Sequence, residues 1–283
     1  MYMQMEPPPD LKHLISFFYC MEHRSEDGPL QELLPSATEV NGWQYAGRWR
    51  LHLTLKGKST NGLLPEFYLV GQQTVSYKLT AEEELAGIFG AGLHPGSAAR
   101  MTGKPAHLFT NNPMETPDLF EPRVIRPVIE AFKQARSPEE RKDIVVSFYR
   151  SLEIPDRYAV HREALEIIYR HKACITLKEI CEQLRVNERY LQREFRQYVG
   201  IPPSEYLRIL RFNNIFAELS LSEEKQNIAS LASLFHYYDI SHFNKTHKKY
   251  FGIAPSRLML DRLVLLEELI RNGPYLVKVQ QRV

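Results

Sequence analysis

The stretch LKEICEQLRVNERYLQREFRQYVGIPP (residues 177–203) decides the fold of the C-terminal part of this chain. It predicts a short helix, a tight turn, a second helix and a Gly-x-x-Pro stop within the segment 177–211. The segment 227–257 repeats this plan with IASLASLF (228–235), SHF (241–243) and GIAP (252–255). Two consecutive helix-turn-helix units are typical of proteins that contact duplex DNA at two places.

The second helix of the first unit has an apolar and a polar face. Asn187 is its predicted N-cap, and Leu191, Phe195 and Tyr198 follow at i, i+4 and i+7, so we expect these three in the core. The opposite face carries the long donor-rich side chains that a helix in a major groove uses to reach base edges and phosphates. These residues are Arg189, Gln192, Arg193 and Arg196. Taken alone, the pattern also fits a solvated charged face.

The second unit repeats this arrangement and strengthens the prediction of DNA binding. Asp239 can cap a helix over 240–251, with Phe243 and His247 facing inward. The outward residues of this helix are Ser241, His242, Asn244, Lys245 and Lys248. A predicted helix over 204–219 joins the units and holds them apart, as two helices entering successive major-groove faces roughly 34 Å apart require.

Composition and charge are consistent with a DNA-binding protein of the cytoplasm. The chain has 283 residues and three cysteines, too few for a disulfide framework, so a reducing compartment is expected. No apolar run is long enough for a membrane span, and the N-terminus lacks the pattern of a signal peptide. Residues 1–155 have a net charge of −3, whereas residues 156–262 have a net charge of +4. This asymmetry favours a polyanionic partner for the C-terminal part.

The N-terminal half is predicted to be mainly β. Apolar residues alternate with polar ones over 49–56 and 75–80, and residues 13–20 and 66–71 are rich in β-formers. Turn signals are predicted at Asn41-Gly42, Lys56-Gly57 and Asn61-Gly62.

Helical periodicity begins at residue 121 and predicts helices up to residue 153, one of them starting at Ser137-Pro138. The sequence thus predicts an α+β protein of two domains. The predicted segments are a β-rich sensor or dimerisation domain (1–120), a helical connector (121–155), a double helix-turn-helix domain (156–262) and a C-terminal helix and tail (263–283).

Signs of catalysis, nucleotide binding or metal binding are weak in the N-terminal half. GAGLHPGS (90–97) lacks the Gly-Lys-Ser/Thr ending of a phosphate-binding loop, and we expect a strand that ends in a turn. The histidines are scattered, so no metal and no cofactor are predicted. Aromatic residues could line a ligand pocket, although core packing is the expected role for most of them; they are Phe67, Tyr68, Tyr77 and Phe89. Cys181 is expected on the buried face of its helix.

Residues 157–260 resemble the DNA-binding domain of the AraC/XylS family of bacterial transcription regulators. The resemblance rests on YYDISHF (237–243), YFGIAP (250–255) and QREFRQYVGIPPSEY (192–206). LLP (33–35) and GLHPGSA (92–98) are similar to pieces of the β-rich sensor regions of one branch. The resemblance implies base contacts by Arg189, Gln192 and Arg193 in the first unit. In the second unit it implies contacts by Ile240, Ser241, His242, Asn244 and Lys245.

The chain departs from the family pattern at several positions. Arg185 and His236 replace the glycine of each turn, where a positive φ would cost a non-glycine residue about 1 kcal/mol. Ile240 stands where a polar residue is common, and His247 stands where a core Phe is usual. We therefore expect the second unit to contribute mainly phosphate contacts.

The resemblance implies a transcription regulator, with activation through RNA polymerase as the commoner mode. A small-molecule effector would bind the N-terminal domain, which could also form a homodimer. Two alternatives stay open: a DNA-binding module controlled by a partner protein, and a DNA-targeted enzyme that would need a cysteine nucleophile, for which only Cys20 is available in this half. The predicted helix over 258–271 could pack on the N-terminal half or join two copies.

Overall fold

The computed structural model describes residues 2–24, 32–33, 35–55, 58–155 and 159–221, together with residues 241, 243–245 and 248. The N-terminal part is mainly β and the described C-terminal part is helical, which confirms the predicted α+β fold. The ten strands are β1 (Tyr2–Met5), β2 (Ile15–Arg24), β3 (Glu32–Leu33), β4 (Glu39–Ala46), β5 (Trp49–Leu55), β6 (Lys58–Leu63), β7 (Phe67–Val70), β8 (Tyr77–Ala81), β9 (Leu85–Leu93) and β10 (Met114–Glu115).

The strands form two antiparallel sheets that share a core. One sheet has the order β1-β2-β9-β4-β7-β10 and the other has the order β3-β8-β5-β6. Inward side chains of both sheets, among them Tyr68, Ile88 and Trp49, pack into one apolar cluster. The predicted strands over 49–56 and 66–71 are confirmed as β5 and β7, and Phe67, Tyr68 and Phe89 are core residues.

The predicted turns at Asn41-Gly42 and Asn61-Gly62 are wrong, because both pairs lie inside strands, β4 and β6. Gly42 faces the Tyr68 ring, which a Cβ at this position would approach to 2.2 Å, so a larger residue does not fit. Asn41 is buried and its amide binds both to the Tyr68 carbonyl and to the Tyr149 hydroxyl. Contacts between distant strands therefore overrode the local turn signal. Lys56-Gly57 lies outside the described residues.

The described residues contain seven α-helices. They are α1 (Ser97–Thr102), α2 (Pro122–Gln134), α3 (Pro138–Ser151), α4 (Val160–Arg170), α5 (Leu177–Leu184), α6 (Glu188–Glu194) and α7 (Pro203–Leu221). The Ser137 side chain accepts a hydrogen bond from Glu140 N, which confirms the predicted start of α3. Helices α2 and α3 pack Phe132, Val145 and Phe148 against the outer face of the six-stranded sheet.

A separate core joins the helices of the C-terminal part. Apolar residues of α4, α5 and α6 surround Tyr206, Leu207 and Leu210 of α7. The Arg211 guanidinium of α7 donates to the carbonyls of Ala173 and Ile175, at 2.7 and 2.6 Å, and thereby fixes the turn before α5. Among the described residues, no helix combines the length and the apolar character needed to cross a bilayer.

Candidate nucleic-acid interface

The first helix-turn-helix unit is capped as its sequence predicts. Thr176 and Glu179 form a reciprocal capping box at the start of α5. The Asn187 side chain accepts from Tyr190 N at 2.8 Å and so begins α6. These caps satisfy backbone donors that would otherwise lack partners, and they set where each helix starts.

The turn between α5 and α6 carries the predicted strain at Arg185. This residue has φ 54° and ψ 41°, the left-handed conformation that a glycine adopts without steric cost. Val186 N donates to Cys181 O across the turn, so the geometry closes α5 as a glycine would.

We expect Arg185→Gly to stabilise the protein by about 0.5–1 kcal/mol, because relief of the left-handed strain outweighs the added entropy of the unfolded chain. Chemical unfolding followed by circular dichroism measures the effect. Arg185→Ala is the matched control, since it removes the side chain and keeps the strain. Equal stability of the two variants would contradict this prediction.

The second helix of the unit ends in a π-helical turn. Helix α6 continues into Phe195–Val199, and Gly200 N donates to Phe195 O at 2.7 Å. Leu191 and Phe195 are fully buried, as predicted. The prediction for Tyr198 is wrong, because the wider turn moves the buried position to Val199 and leaves Tyr198 only half-buried.

The polar face of α6 is open to solvent. Its four predicted contact residues, Arg189, Gln192, Arg193 and Arg196, are all exposed. The Arg193 guanidinium lies over the Tyr190 ring at 5.2 Å, which restrains a long side chain that would otherwise sample many rotamers. The face therefore presents three guanidinium groups and one amide in an arrangement suited to base edges and phosphates.

Only part of the second unit lies within the described residues. Phe243 is buried and stacks on Phe212 of α7, with ring centroids 6.2 Å apart. Ser241, Asn244, Lys245 and Lys248 are exposed. The inward and outward faces thus agree with the predicted ones at these positions. Ile240, His242, His236, His247 and the predicted helix over 258–271 lie outside the described residues.

Sequence reasoning missed a contact between the two domains at the π-helical turn. The Tyr198 ring stacks on His161 of α4 with centroids 4.4 Å apart. His161 also lies against Gly96, just before α1, where a Cβ would come within 3.0 Å of its Nε2. Thr110 Oγ1 donates to Gly200 O at 3.1 Å. No periodic pattern marks these residues, because their partners are 37 to 90 positions away in the chain.

His161 is a buried histidine held in its neutral form. It is 1% exposed, and neither ring nitrogen has a hydrogen-bond partner among the described residues. Burial, together with the charges of Arg100 and Arg162, lowers the pKa of His161 from 6.5 to about 4. Protonation therefore favours the unfolded or undocked chain, in which the imidazole is hydrated.

We expect the stability that depends on His161 to be present above pH 6.5 and to be lost as the pH falls from about 6.5 to about 4. The unfolded chain binds a proton in this range that the folded chain does not, which amounts to about 3 kcal/mol in full. Chemical unfolding at several pH values from 7.5 to 4.5 measures the slope of the unfolding free energy against pH. His161→Phe keeps the ring and does not titrate, so its slope should be smaller. Parallel slopes for wild type and variant would refute the assignment.

The cysteines and the glycine-rich segment considered above for other chemistry occupy positions that serve the fold. Cys20 is fully buried with its Sγ 3.1 Å from the Tyr45 hydroxyl, and burial raises the pKa of its thiol, so it lacks the exposure and low pKa of a nucleophile. Cys181 is buried as predicted. The described residues contain no group of three metal-binding side chains. Residues 90–97 form the end of β9 and a turn, as expected.

A cavity of about 440 Å³ lies beside the first two strands. Its lining mixes apolar and polar side chains, including Lys12, Ser16, Phe17 and His94. His94 packs here with a pKa lowered by burial and hydrogen-bonds to the Lys12 carbonyl at 3.1 Å. The volume is within the range of small-molecule sites.

The fold and the exposed face of α6 define a helix-turn-helix protein. Residues 180–260 match the helix-turn-helix domain family, and residues 3–115 match a domain of unknown function (DUF6597). The helix-turn-helix domain of this chain is of the AraC type, as the resemblance in its sequence predicts.

The curated relatives are transcription regulators that match this chain over part of its length. The HTH-type transcriptional regulator GbdR of Pseudomonas aeruginosa is 33% identical over 84 residues, which are 29% of this chain and 22% of GbdR. The raffinose operon transcriptional regulatory protein RafR of Pediococcus pentosaceus is 30% identical over 81 residues, 29% of this chain and 28% of RafR. The chain thus spans about a quarter of the length of the curated relatives it matches.

Among solved structures, ToxT of Vibrio cholerae is similar over 88% of this chain and 98% of its own, with 17% identity and a TM-score of 0.46. The C-terminal domain of the response regulator AraT of Geobacillus stearothermophilus is 30% identical over 36% of this chain and 85% of its own, with a TM-score of 0.33.

Proposed function

We propose that this protein is a transcription regulator that binds duplex DNA sequence-specifically through two helix-turn-helix units. The observation that carries the proposal is the exposed polar face of α6 and of the turn that continues it. Arg189, Gln192, Arg193 and Arg196 are exposed there on a helix that is capped and packed. Such a face offers bidentate donors for base edges and additional donors for phosphates.

The second unit would extend the contact along the same side of the duplex. Helix α7 has 19 residues, a length of about 28 Å at 1.5 Å per residue, and Phe212 near its middle stacks on Phe243 of the second unit. This rigid spacing suits two successive major-groove entries. Ser241, Asn244, Lys245 and Lys248 would make its contacts, together with Ile240 and His242, mostly to phosphates.

The N-terminal domain would control the DNA-binding domain. We propose that the chain is divided for this control into the β-rich domain, the connector, the DNA-binding domain and the C-terminal helix and tail. Their ranges are 1–120, 121–155, 156–262 and 263–283. A small-molecule effector could occupy the cavity beside Lys12 and His94, whose size and mixed lining suit one. We further propose that the protein activates transcription through RNA polymerase and forms a homodimer. It would be located in the cytoplasm and would act by binding and not as an enzyme.

Selection of duplexes from a random library by the purified full-length protein tests the proposal. Fluorescence anisotropy then compares a selected duplex with a scrambled duplex of equal composition at two salt concentrations. We expect tighter binding to the selected duplex at both salt concentrations, because base contacts depend less on salt than phosphate contacts do. Equal binding to both duplexes would contradict sequence-specific recognition.

Thermal unfolding with a panel of metabolites separates the two modes of control. A ligand that binds only the folded state raises the melting temperature. A stabilising metabolite would support a small-molecule effector, and its effect should decrease in Lys12→Ala if the cavity is the site. A panel without such a compound would favour control by a partner protein.

A further inference from the structure

The two domains meet on the π-helical turn that continues the first recognition helix. Tyr198 in this turn stacks on His161, which in turn contacts Gly96 of the N-terminal domain. Gly200, which ends the turn, accepts a hydrogen bond from Thr110. The N-terminal domain thus touches the recognition helix at its end, about one turn after the residues proposed to contact bases.

The fit at this contact is close enough to define a single position. A Cβ on Gly200 would lie 2.6 Å from Thr110 Oγ1 and 2.9 Å from Ala106 O, so the backbones of the two domains approach directly. A Cβ on Gly96 would lie 3.0 Å from His161 Nε2. Such contacts tolerate almost no displacement, because packed interiors respond to changes of a single methyl group.

The N-terminal side of the contact is itself held by the sheet. The buried carboxyl group of Glu39, in the central strand β4, accepts from Gly96 N at 2.8 Å and from Ala98 N at 2.7 Å. Ala37, two residues before Glu39, lies within the apolar core of the C-terminal part. A continuous series of contacts therefore links the six-stranded sheet to the end of α6.

The docked N-terminal domain leaves the recognition face open. Arg189, Gln192, Arg193 and Arg196 remain exposed with the contact formed. The contact can therefore orient the helix, whereas it does not block these residues from DNA.

The π-helical turn has a wider hydrogen-bond spacing than the rest of the recognition helix. Its bond from Gly200 N to Phe195 O spans five residues, one more than in an α-helix. A change to α-helical pairing would shift the register by one residue and rotate α6 relative to α7 by about 100°. In the observed register, the Tyr198 ring stacks on His161 and Gly200 O accepts from Thr110.

We propose that the N-terminal domain positions the first recognition helix through this turn, with Tyr198 and Thr110 as positioning residues. The orientation of α6 relative to α7, and hence base readout by the first unit, then depends on the domain contact. This inference rests on the proposed function and adds the route by which the N-terminal domain would regulate it.

The test measures the ratio of affinities of the full-length protein for the selected and the scrambled duplex. Tyr198→Leu removes the ring that stacks on His161, and Thr110→Val removes the hydrogen bond to Gly200 at nearly constant volume. We expect each to lower the ratio at least about fivefold, with little change in binding to the scrambled duplex, which reports phosphate contacts. Tyr198→Phe keeps the stacked ring and should keep the ratio. Thr60→Val is the matched control, because it removes a hydrogen bond to Leu53 O far from the domain contact.

A second selection from the random library, now with Thr110→Val, shows which part of the DNA site is affected. We expect weaker base preferences in the half of the site where Arg193→Ala also weakens them. The base preferences in the other half should remain. The inference is overturned if Tyr198→Leu and Thr110→Val, folded as judged by circular dichroism, keep the wild-type ratio, or if Thr60→Val lowers it equally. Wild-type protein without any preference would instead refute the proposed function, and the inference with it.

Discussion

Arg193→Ala should lower the preference of the protein for its selected duplex over a scrambled one by about five- to 150-fold. The expected loss is the 1–3 kcal/mol of discrimination that one bidentate pair between an arginine and a base supplies. Arg193 suits this role because it is exposed on α6 and its guanidinium is restrained over the Tyr190 ring. Anisotropy titrations with both duplexes at one salt concentration measure the ratio.

Lys245→Ala is the informative comparison from the second unit. A phosphate contact carries no base information, so this variant should weaken binding to both duplexes equally and reduce the slope of log affinity against log salt by about one. Arg126→Ala removes an exposed arginine of α2 and serves as the control for net charge. If Lys245→Ala changed base preference as strongly as Arg193→Ala does, the assignment of phosphate contacts to the second unit would be wrong.

Glu39→Gln should destabilise the protein by about 2–3 kcal/mol at pH 6. Both carboxyl oxygens of Glu39 accept backbone hydrogen bonds in a fully buried site. A glutamine has one acceptor oxygen, so its amide nitrogen would face Gly96 N or Ala98 N and leave that donor unsatisfied. Chemical unfolding followed by circular dichroism measures the change, and Glu66→Gln is the control at an exposed carboxylate.

The difference in unfolding free energy between wild type and Glu39→Gln should decrease as the pH rises. Burial raises the pKa of Glu39 from 4.5 to about 8, in opposition to the backbone N–H donors of Gly96, Ser97 and Ala98, which favour the carboxylate. The stability contributed by Glu39 is therefore complete below pH 4.5 and decreases as the pH rises through about 8. A glutamine does not titrate. A constant difference between pH 6 and pH 9 would contradict this assignment.

Local signals predicted the first helix-turn-helix unit in detail. The capping box of Thr176, the cap at Asn187 and the left-handed Arg185 depend on residues within three or four positions, so the sequence contains all the partners. The outward face of α6 follows from the helical period alone. The roles of these exposed residues toward DNA stay predictions.

Non-local contacts account for the errors. Asn41-Gly42 is a turn signal by composition, yet Gly42 lies in a central strand beneath Tyr68, 26 residues further along the chain. An α-helical period predicts Tyr198 in the core, whereas the π-helical turn moves the buried position to Val199. In both cases packing against distant elements outweighed the local preference.

The sequence by itself determined the two classes of structure, the position and capping of the first unit and the charged face of its second helix, because each depends on short-range periodicity and hydrogen bonds. Only the tertiary structure decided the strand order, the burial of Glu39 and His161, and the contact of the N-terminal domain with the end of α6. These features join residues that are far apart in the chain, and their energies come from burial and close packing, which no local pattern records.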